Sequence, residues 1–474
     1  MKTEYDYDFV VIGGGSAGYA AARTAHDLGL KTAVIDGAET LGGLCILRGC
    51  MPSKTLIESA NLARSIRRAG EFGLRVDGVS HRGEEIIARK RRLIAEFADY
   101  RQGQLADGRF DLLRVFARFA DPHELIVSPI DGAPERRIRF ASACIAPGSV
   151  IQRIDLPGLE ECGYWTSDDV LDAVEIPESI IVLGGGAIAL EMACYFEGLG
   201  SEVTVIQRSG QVLSGTDADV AEALEGAMRS RPNLSLHTGT KLLRVEKNDQ
   251  GKAVVWFAHD GREEKATADR ILVALGRRPA IERLDLEMAG VALTESGRGI
   301  VVDEWMATSQ PHLFAAGDVC SELEVVHIAI QQGEIAAKEA AHRLGRTADR
   351  PTPMSYRLKL LGVFTDPQVA TVGLSEREAS ESGRQVLAAT YPFDDHGKSM
   401  VMGETHGFVK LIADAESLEL LGGAVVGPEA VELIHEIVTA IYFRCSASQF
   451  LEIPHYHPTL SEIWTYPAEE LSGL

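Results

Sequence analysis

The chain has little of what would mark a small secreted, a membrane or a nucleic-acid-binding protein. Seven cysteines, at positions 45, 50, 144, 162, 194, 320 and 445, are too few, and odd in number, for a stapled disulfide framework. In a reducing compartment a bond between two of them is expected to serve chemistry. No apolar run reaches the roughly 18 residues that a membrane span needs, because glycines punctuate the apolar pieces. Positive charge is scarce: 47 Lys and Arg against 69 Asp and Glu leave a net −22, which repels phosphate backbones and gains nothing from counterion release. The basic run Arg89-Lys90-Arg91-Arg92 lies in a helix-like stretch with Glu84, Glu85 and Glu96 and reads as a solvated helix face. Met1 to Asp8 is acidic and lacks the basic start and small-residue cleavage site of a signal peptide, so a cytoplasmic address is expected.

What is present is a repeated local grammar. At 474 residues the chain exceeds a single core and implies several units. An apolar strand, Phe9 to Val11, feeds Gly13-Gly14-Gly15-Ser16-Ala17-Gly18, an alanine-rich helix follows to Gly29, and a second strand, Thr32 to Ile35, ends at Asp36. This β-α-β unit presents a helix N-terminus suited to a pyrophosphate. The grammar returns at Ile180 to Leu183, Gly184-Gly185-Gly186-Ala187-Ile188-Ala189, a helix through Glu191 to Leu199, and a strand from Val203 to Ile206 that leads into Gln207 and Arg208. One glycine-rich turn is weak evidence; two in full strand-turn-helix-strand context predict two dinucleotide sites.

Between the two units, residues near 110 to 150 alternate short apolar strands with turns and end at Ala146-Pro147-Gly148-Ser149. A similar strand, Arg270 to Gly276, closes the second unit, and Leu313 to Asp318 is a strand ending in a Gly317-Asp318 turn, with a helix expected from Ala329 to Leu344. Beyond Pro351 the pattern shifts to alternation. The expected fold class is α/β, with two Rossmann-like dinucleotide-binding domains and a C-terminal α+β domain. Residues 1–152 and 277–347 are assigned to the first domain, 153–276 to the second and 348–474 to the third.

Cys45 and Cys50 follow the first β-α-β unit directly, in Gly42-Gly43-Leu44-Cys45-Ile46-Leu47-Arg48-Gly49-Cys50-Met51-Pro52-Ser53-Lys54. Four intervening residues bring two sulfurs within bonding distance if the stretch is irregular, and such short loops make readily reduced disulfides. Structural zinc would want a second cysteine pair, and none is present.

These residues resemble the pyridine nucleotide-disulfide oxidoreductases: Gly13 to Gly18, Asp36, Cys45 to Lys54, Gly317-Asp318 and the string His457-Pro458-Thr459-Leu460-Ser461-Glu462. The resemblance covers nearly the whole chain. Met51-Pro52-Ser53-Lys54, Phe364-Thr365-Asp366-Pro367 and His455-Tyr456-His457-Pro458-Thr459 are more similar to dihydrolipoamide dehydrogenase than to glutathione reductase.

The resemblance implies bound FAD, a nicotinamide nucleotide and a redox-active Cys45–Cys50 pair, with Cys50 near the flavin and Cys45 attacking substrate. His457 is then the base, Glu462 fixes its tautomer, and the two reach the disulfide of a partner subunit, so the third domain is a dimerisation domain and the protein a homodimer. Lys54 and Glu191 become an ion pair beneath the flavin ring. Asp36 holds the FAD ribose and Asp318 the polyol and phosphate region, with Gly13, Gly15, Ser16, Ala17, Gly18, Gly43, Gly148, Gly317 and His327 around them. Gly184, Gly186, Ala189, Glu191, Gln207, Arg208 and Gly276 form the nicotinamide-nucleotide site.

Two departures from that pattern matter. NAD enzymes place a carboxylate where this chain has Gln207, and an arginine such as Arg208 can bind the extra phosphate of NADP, so NADP(H) is favoured over NAD(H) even though Val212, Leu213 and Ser214 supply no second basic residue. Arg48, between the cysteines, is positioned to depress a thiol pKa or to meet an anionic substrate. The expected substrate is a dihydrolipoamide-like or other small disulfide. A mercuric-type metal-ion reductase is the rival enzyme, disfavoured because no cysteine follows Cys445 and His457 is kept. A non-catalytic flavoprotein sensor or scaffold is disfavoured by the complete set Cys45, Cys50, His457 and Glu462.

Overall fold

Phe9, Val10 and Val11 are fully buried, as are Ile180 to Leu183, and strands that are apolar on both faces must be covered on both. The computed structural model, which describes residues 5–320 and 323–473, makes each of them a central strand of a parallel sheet. The chain divides into two compact units. One comprises Met1–Pro52, Arg89–Gln152 and Arg277–Ser355; the other comprises Ser53–Ala88, Arg153–Gly276 and Tyr356–Leu474.

In the first unit Tyr7–Ile12 lies between Thr32–Ile35 and Arg136–Ile145, in registers Phe9↔Thr32 and Tyr7↔Phe140. Asp111–Leu113 extends the sheet beyond Thr32–Ile35, and Leu313–Ala315 pairs in parallel with the far side of Arg136–Ile145. The N-terminal part of that ten-residue strand also heads an antiparallel meander with Glu124–Pro129 and Val115–Asp121. Helices Ser16–Asp27 and Val326–Arg343 pack with their backbones nearly touching: a Cβ on Gly333 would lie 2.2 Å from the Ala17 carbonyl oxygen. Ala21, Ala336, Ala337 and Ala340, all fully buried, keep the remaining contact equally thin. The second of these helices starts at Val326, three residues before the alanine run that the sequence marks as its beginning.

In the second unit the parallel order is Leu234–His237, Glu202–Ile206, Ser179–Leu183, Arg270–Val273 and Trp165–Thr166. A three-stranded meander, Lys241–Lys247, Ala253–His259 and Arg262–Ala268, covers one side through Val245, Val255 and Phe257. The C-terminal part is an antiparallel sheet ordered Leu360–Val363, Gln368–Gly373, Leu420–Gly427, Phe408–Asp414 and Val386–Pro392, backed by helix Ala430–Tyr442. Ser53–Ala88 groups with this unit even though it follows the first glycine turn in sequence.

Within the second unit, Lys410 is buried with its ammonium 3.0 Å from Asp217, 2.8 Å from Asp219 and 2.8 Å from Glu376. Three carboxylates around one buried ammonium repay the loss of its water and tie Phe408–Asp414 to the start of helix Ala218–Arg229. Among the described residues no helix is long and apolar enough to cross a membrane.

Candidate active site

The first glycine turn is shaped by what its backbone has to avoid. Gly13 sits at φ +107°, and a Cβ on Gly18 would lie 1.8 Å from the Gly13 carbonyl oxygen, so only glycine lets the helix start this close to the strand. Gly15, the N-cap of Ser16–Asp27, provides no side-chain cap, which leaves the first N–H groups of the helix, near Ser16 and Ala17, for an external acceptor. Asp36 closes the following strand; one carboxylate oxygen accepts the Gly14 N–H and the other the Ala38 N–H, each at 2.9 Å. A Cβ on Gly43 would lie 2.7 Å from Gly15 Cα, which brings the segment leading to Cys45 against the turn.

On the other side of the sheet Gly317, at φ +81°, donates its N–H to the buried Gln332 side chain at 2.8 Å. Asp318 accepts from the Ser149 hydroxyl at 2.6 Å, just past Gly148, and the Arg277 guanidinium donates to the same hydroxyl at 2.9 Å. His327 lies in the first turn of Val326–Arg343. Glu324, which the sequence did not single out, is pushed up in pKa by burial and then by Asp318, against the pull of Arg277. The uncapped helix end, the crowded glycines and the convergent polar groups fit a dinucleotide pyrophosphate and ribityl chain.

The cysteine segment is more regular than its spacing led us to expect. Gly43–Arg48 is a short helix carrying Cys45, Cys50 opens helix Cys50–Arg67, and the irregularity is confined to Gly49 at φ −134°, ψ −116°. Both cysteines are half-buried, and Arg48 is exposed at the end of its helix. Sequence reasoning missed another guanidinium, that of Arg101 on helix Gly83–Leu105, which stacks 4.2 Å over the Tyr19 ring. Burial pushes its pKa down, opposed by the negative charge of ionised Tyr19 and Cys45. No local signal could have paired residues so far apart in sequence.

In the second unit Lys54 Nζ lies 2.9 and 2.8 Å from the two carboxylate oxygens of Glu191 and 4.7 Å over the Phe364 ring. Glu191 is buried in helix Ala187–Gly198 and also accepts the Phe364 N–H at 3.0 Å, so its charge is fully partnered. In the C-terminal part, His457 Nδ1 is 2.8 Å from Glu462 Oε2. The His457 side chain is 79% exposed and that of Glu462 12%. A second histidine, also missed in the sequence, stands behind this pair: His396 is fully buried, its Nε2 lies 3.5 Å from Glu462 Oε1, and its Nδ1 is 2.8 Å from the Ser399 hydroxyl. Burial lowers its pKa and Glu462 opposes that shift, so it meets the carboxylate as a neutral ring at neutral pH.

The second glycine turn repeats the first. Gly184 lies at φ +126°, Gly186 caps helix Ala187–Gly198 without a side-chain bond, and a Cβ on Gly186 would meet nothing within 4 Å. Ala189, fully buried, replaces the third glycine, and Gly276, at φ +103°, follows the neighbouring strand. Gln207 packs over Gly185 and its side-chain oxygen accepts the Arg208 N–H at 3.1 Å. Arg208 is exposed, and among the described residues its guanidinium makes no ion pair.

The pyridine nucleotide-disulphide oxidoreductase family matches residues 7–333, and its dimerisation domain matches residues 361–468. The dihydrolipoyl dehydrogenases of Bacillus subtilis and Thermus scotoductus are 34% and 36% identical to the chain, over 98% and 99% of its length and 97% and 98% of theirs. Among solved structures, the Cu(II) complex of the HOCl-induced flavoprotein disulfide reductase RclA from Escherichia coli superposes with a TM-score of 0.84 at 25% identity, covering 98% of this chain and 100% of that one. With two uncapped dinucleotide turns, a cysteine pair and a C-terminal dimerisation domain, the chain belongs to the pyridine nucleotide-disulphide oxidoreductase family and is an FAD-dependent disulfide oxidoreductase that uses a nicotinamide nucleotide.

Proposed function

We propose that the protein, as a homodimer, uses NADPH to reduce a small disulfide of the lipoyl type through Cys45 and Cys50. The observation that carries this reading is the His457–Glu462 pair. With its Nδ1–H donated to Glu462 at 2.8 Å, the ring keeps the Nε2 lone pair, and at 79% exposure that nitrogen serves a group delivered from outside its own subunit. Residues 1–152 and 277–347 hold FAD, 153–276 hold the nicotinamide nucleotide, and 348–474 dimerise. FAD bound there would supply the two-electron chemistry that links a nicotinamide hydride to a cysteine pair.

The Cys45 thiolate attacks one sulfur of the substrate disulfide, the substrate S–S bond breaks, and the departing thiolate takes its proton from protonated His457 of the partner subunit. Cys50 then attacks Cys45 in the mixed disulfide. His457 of the partner subunit takes the Cys50 proton and passes it to the second substrate thiolate as that thiolate leaves, and the Cys45–Cys50 bond forms; one disulfide is reduced and one is made. Arg101 stabilises the Cys45 thiolate by charge, His396 orients Glu462, and Lys54, held by Glu191, is the fixed cation that the family resemblance places beside the flavin. NADPH is preferred because Gln207 offers no carboxylate to repel a 2′-phosphate and Arg208 is an exposed guanidinium with no ion pair among the described residues.

Anaerobic stopped-flow reduction of the purified flavoprotein by NADPH and by NADH, followed by turnover with lipoamide, lipoic acid and glutathione disulfide, tests the reading. Faster reduction by NADPH with lipoyl-disulfide turnover supports it. Faster reduction by NADH refutes the role given to Arg208, and turnover of glutathione disulfide alone refutes the substrate class.

A further inference from the structure

Away from the cysteine pair, the second unit gathers two histidines and a carboxylate that the proposed reaction does not use. His259 ends strand Ala253–His259 and Glu264 belongs to the antiparallel partner Arg262–Ala268, in the register Phe257↔Glu264 and His259↔Arg262. Side chains two apart share a face, so His259 and Glu264 are diagonal neighbours on the face that buries Phe257. His237, the last residue of Leu234–His237, comes over the same face, with its ring 5.1 Å from Phe257 and 5.6 Å from His259. The Glu264 carboxylate spans the two imidazoles: Oε1 is 3.3 Å from His259 Nδ1 and Oε2 is 3.9 Å from His237 Nδ1. One donor atom from each of the three residues lies within 4.8 Å of the others.

We propose that His237, His259 and Glu264 bind one divalent transition-metal ion of the zinc class. Tetrahedral zinc with bonds of about 2.0–2.1 Å to histidine nitrogen and carboxylate oxygen separates neighbouring ligand atoms by about 3.3–3.4 Å. The His259 Nδ1–Glu264 Oε1 separation, which is also a hydrogen bond, has this value; His237 Nδ1 is about half an ångström further from the other carboxylate oxygen, and the three donor atoms, within 4.8 Å of one another, would draw together around an ion. Two imidazoles and one carboxylate match the borderline preference of zinc, nickel and copper, and leave a fourth position for water. Asp260, with Oδ2 3.9 Å from His259 Nε2, stands on the far side of that ring, where a carboxylate raises ligand basicity. Among the described residues a second compact cluster, Asp217, Asp219 and Glu376, already holds the Lys410 ammonium.

Titration calorimetry of Zn2+ into the oxidised holoenzyme, in which Cys45 and Cys50 are bonded to each other and cannot compete, tests the site. One saturable equivalent is expected, weakened at least about tenfold in each of H237N, H259N and E264Q. The flavin spectrum confirms that each variant is folded. In parallel, electron paramagnetic resonance of one equivalent of Cu2+ should show coupling to two imidazole nitrogens, falling to one in H237N and in H259N. No saturable equivalent, or the same affinity and nitrogen count in all three variants, overturns the proposal: the cluster is then a histidine–glutamate ion pair and nothing more. Because the titration uses neither nucleotide nor disulfide, its failure leaves the proposed reaction untouched.

Discussion

In the first glycine turn a carboxylate closes the second strand, and Asp36 takes the Gly14 N–H at 2.9 Å; in the second turn the same corner holds Gln207, a neutral amide that takes the N–H of its own neighbour Arg208. Both side chains lie over the turn, since a Cβ on Gly14 or on Gly185 would come within 2.9 or 2.8 Å of them. The steric solution is shared and the electrostatics are not. One corner carries a negative charge, which would accept hydroxyls and repel a phosphate, whereas the other is neutral and is followed in sequence by Arg208. The turns differ also at the third fingerprint position, where a Cβ is excluded at Gly18 and accommodated at Ala189. That pair of differences separates what the two turns share, a backbone that lets a helix start close against a strand, from what they do not, the size and charge of the side chains around it.

Substitutions can break or sharpen this contrast. The largest effect is expected for Gly18→Ala, whose Cβ would lie 1.8 Å from the Gly13 carbonyl oxygen: a loss of about 3 kcal/mol, the upper end of an overpacking cost, and protein purified without flavin, read by thermal unfolding and the 450 nm absorbance. Next, Arg208→Ala should lower kcat/KM for NADPH about thirtyfold, equivalent to about 2 kcal/mol for a hydrogen bond to a charged group, and leave NADH within a factor of two; Gln207→Glu should act in the same direction. A smaller effect follows from Gly186→Ala. Its Cβ meets no atom within 4 Å, so the fold should be unchanged, while KM for both nucleotides rises about tenfold because the pyrophosphate is held off the backbone. The smallest is Ala189→Gly, expected to cost about 0.5–1 kcal/mol in unfolding experiments with nucleotide kinetics intact. If Ala189→Gly and Gly18→Ala destabilise equally, the steric distinction between the turns is wrong.

What was legible in the sequence follows the range of the forces involved. The first turn is readable because the clash that demands Gly18 is between atoms five residues apart, and His457 with Glu462 is readable because the string that carries the resemblance holds both on one short segment. The Lys54–Glu191 pair came only through resemblance, since 137 positions separate its members. Arg101 and His396 were illegible: each acts on a residue that tertiary packing brings to it, and neither sits in a pattern of its own. The break that sends Ser53–Ala88 to the second unit was also invisible, because helix Cys50–Arg67 runs through it without a glycine.

The path of the chain has a consequence for how the protein is made. The sheet begun by Tyr7–Ile12 is completed by Leu313–Ala315, and the helix against Ser16–Asp27 ends only at Arg343. During synthesis the N-terminal residues therefore wait, with an open apolar face, until most of the chain has left the ribosome, and the second unit closes later still with Tyr356–Leu474. Folding is in this sense post-translational: a nascent chain stopped before Leu313 owns the glycine turn and both cysteines but has no finished cradle in which to retain a flavin.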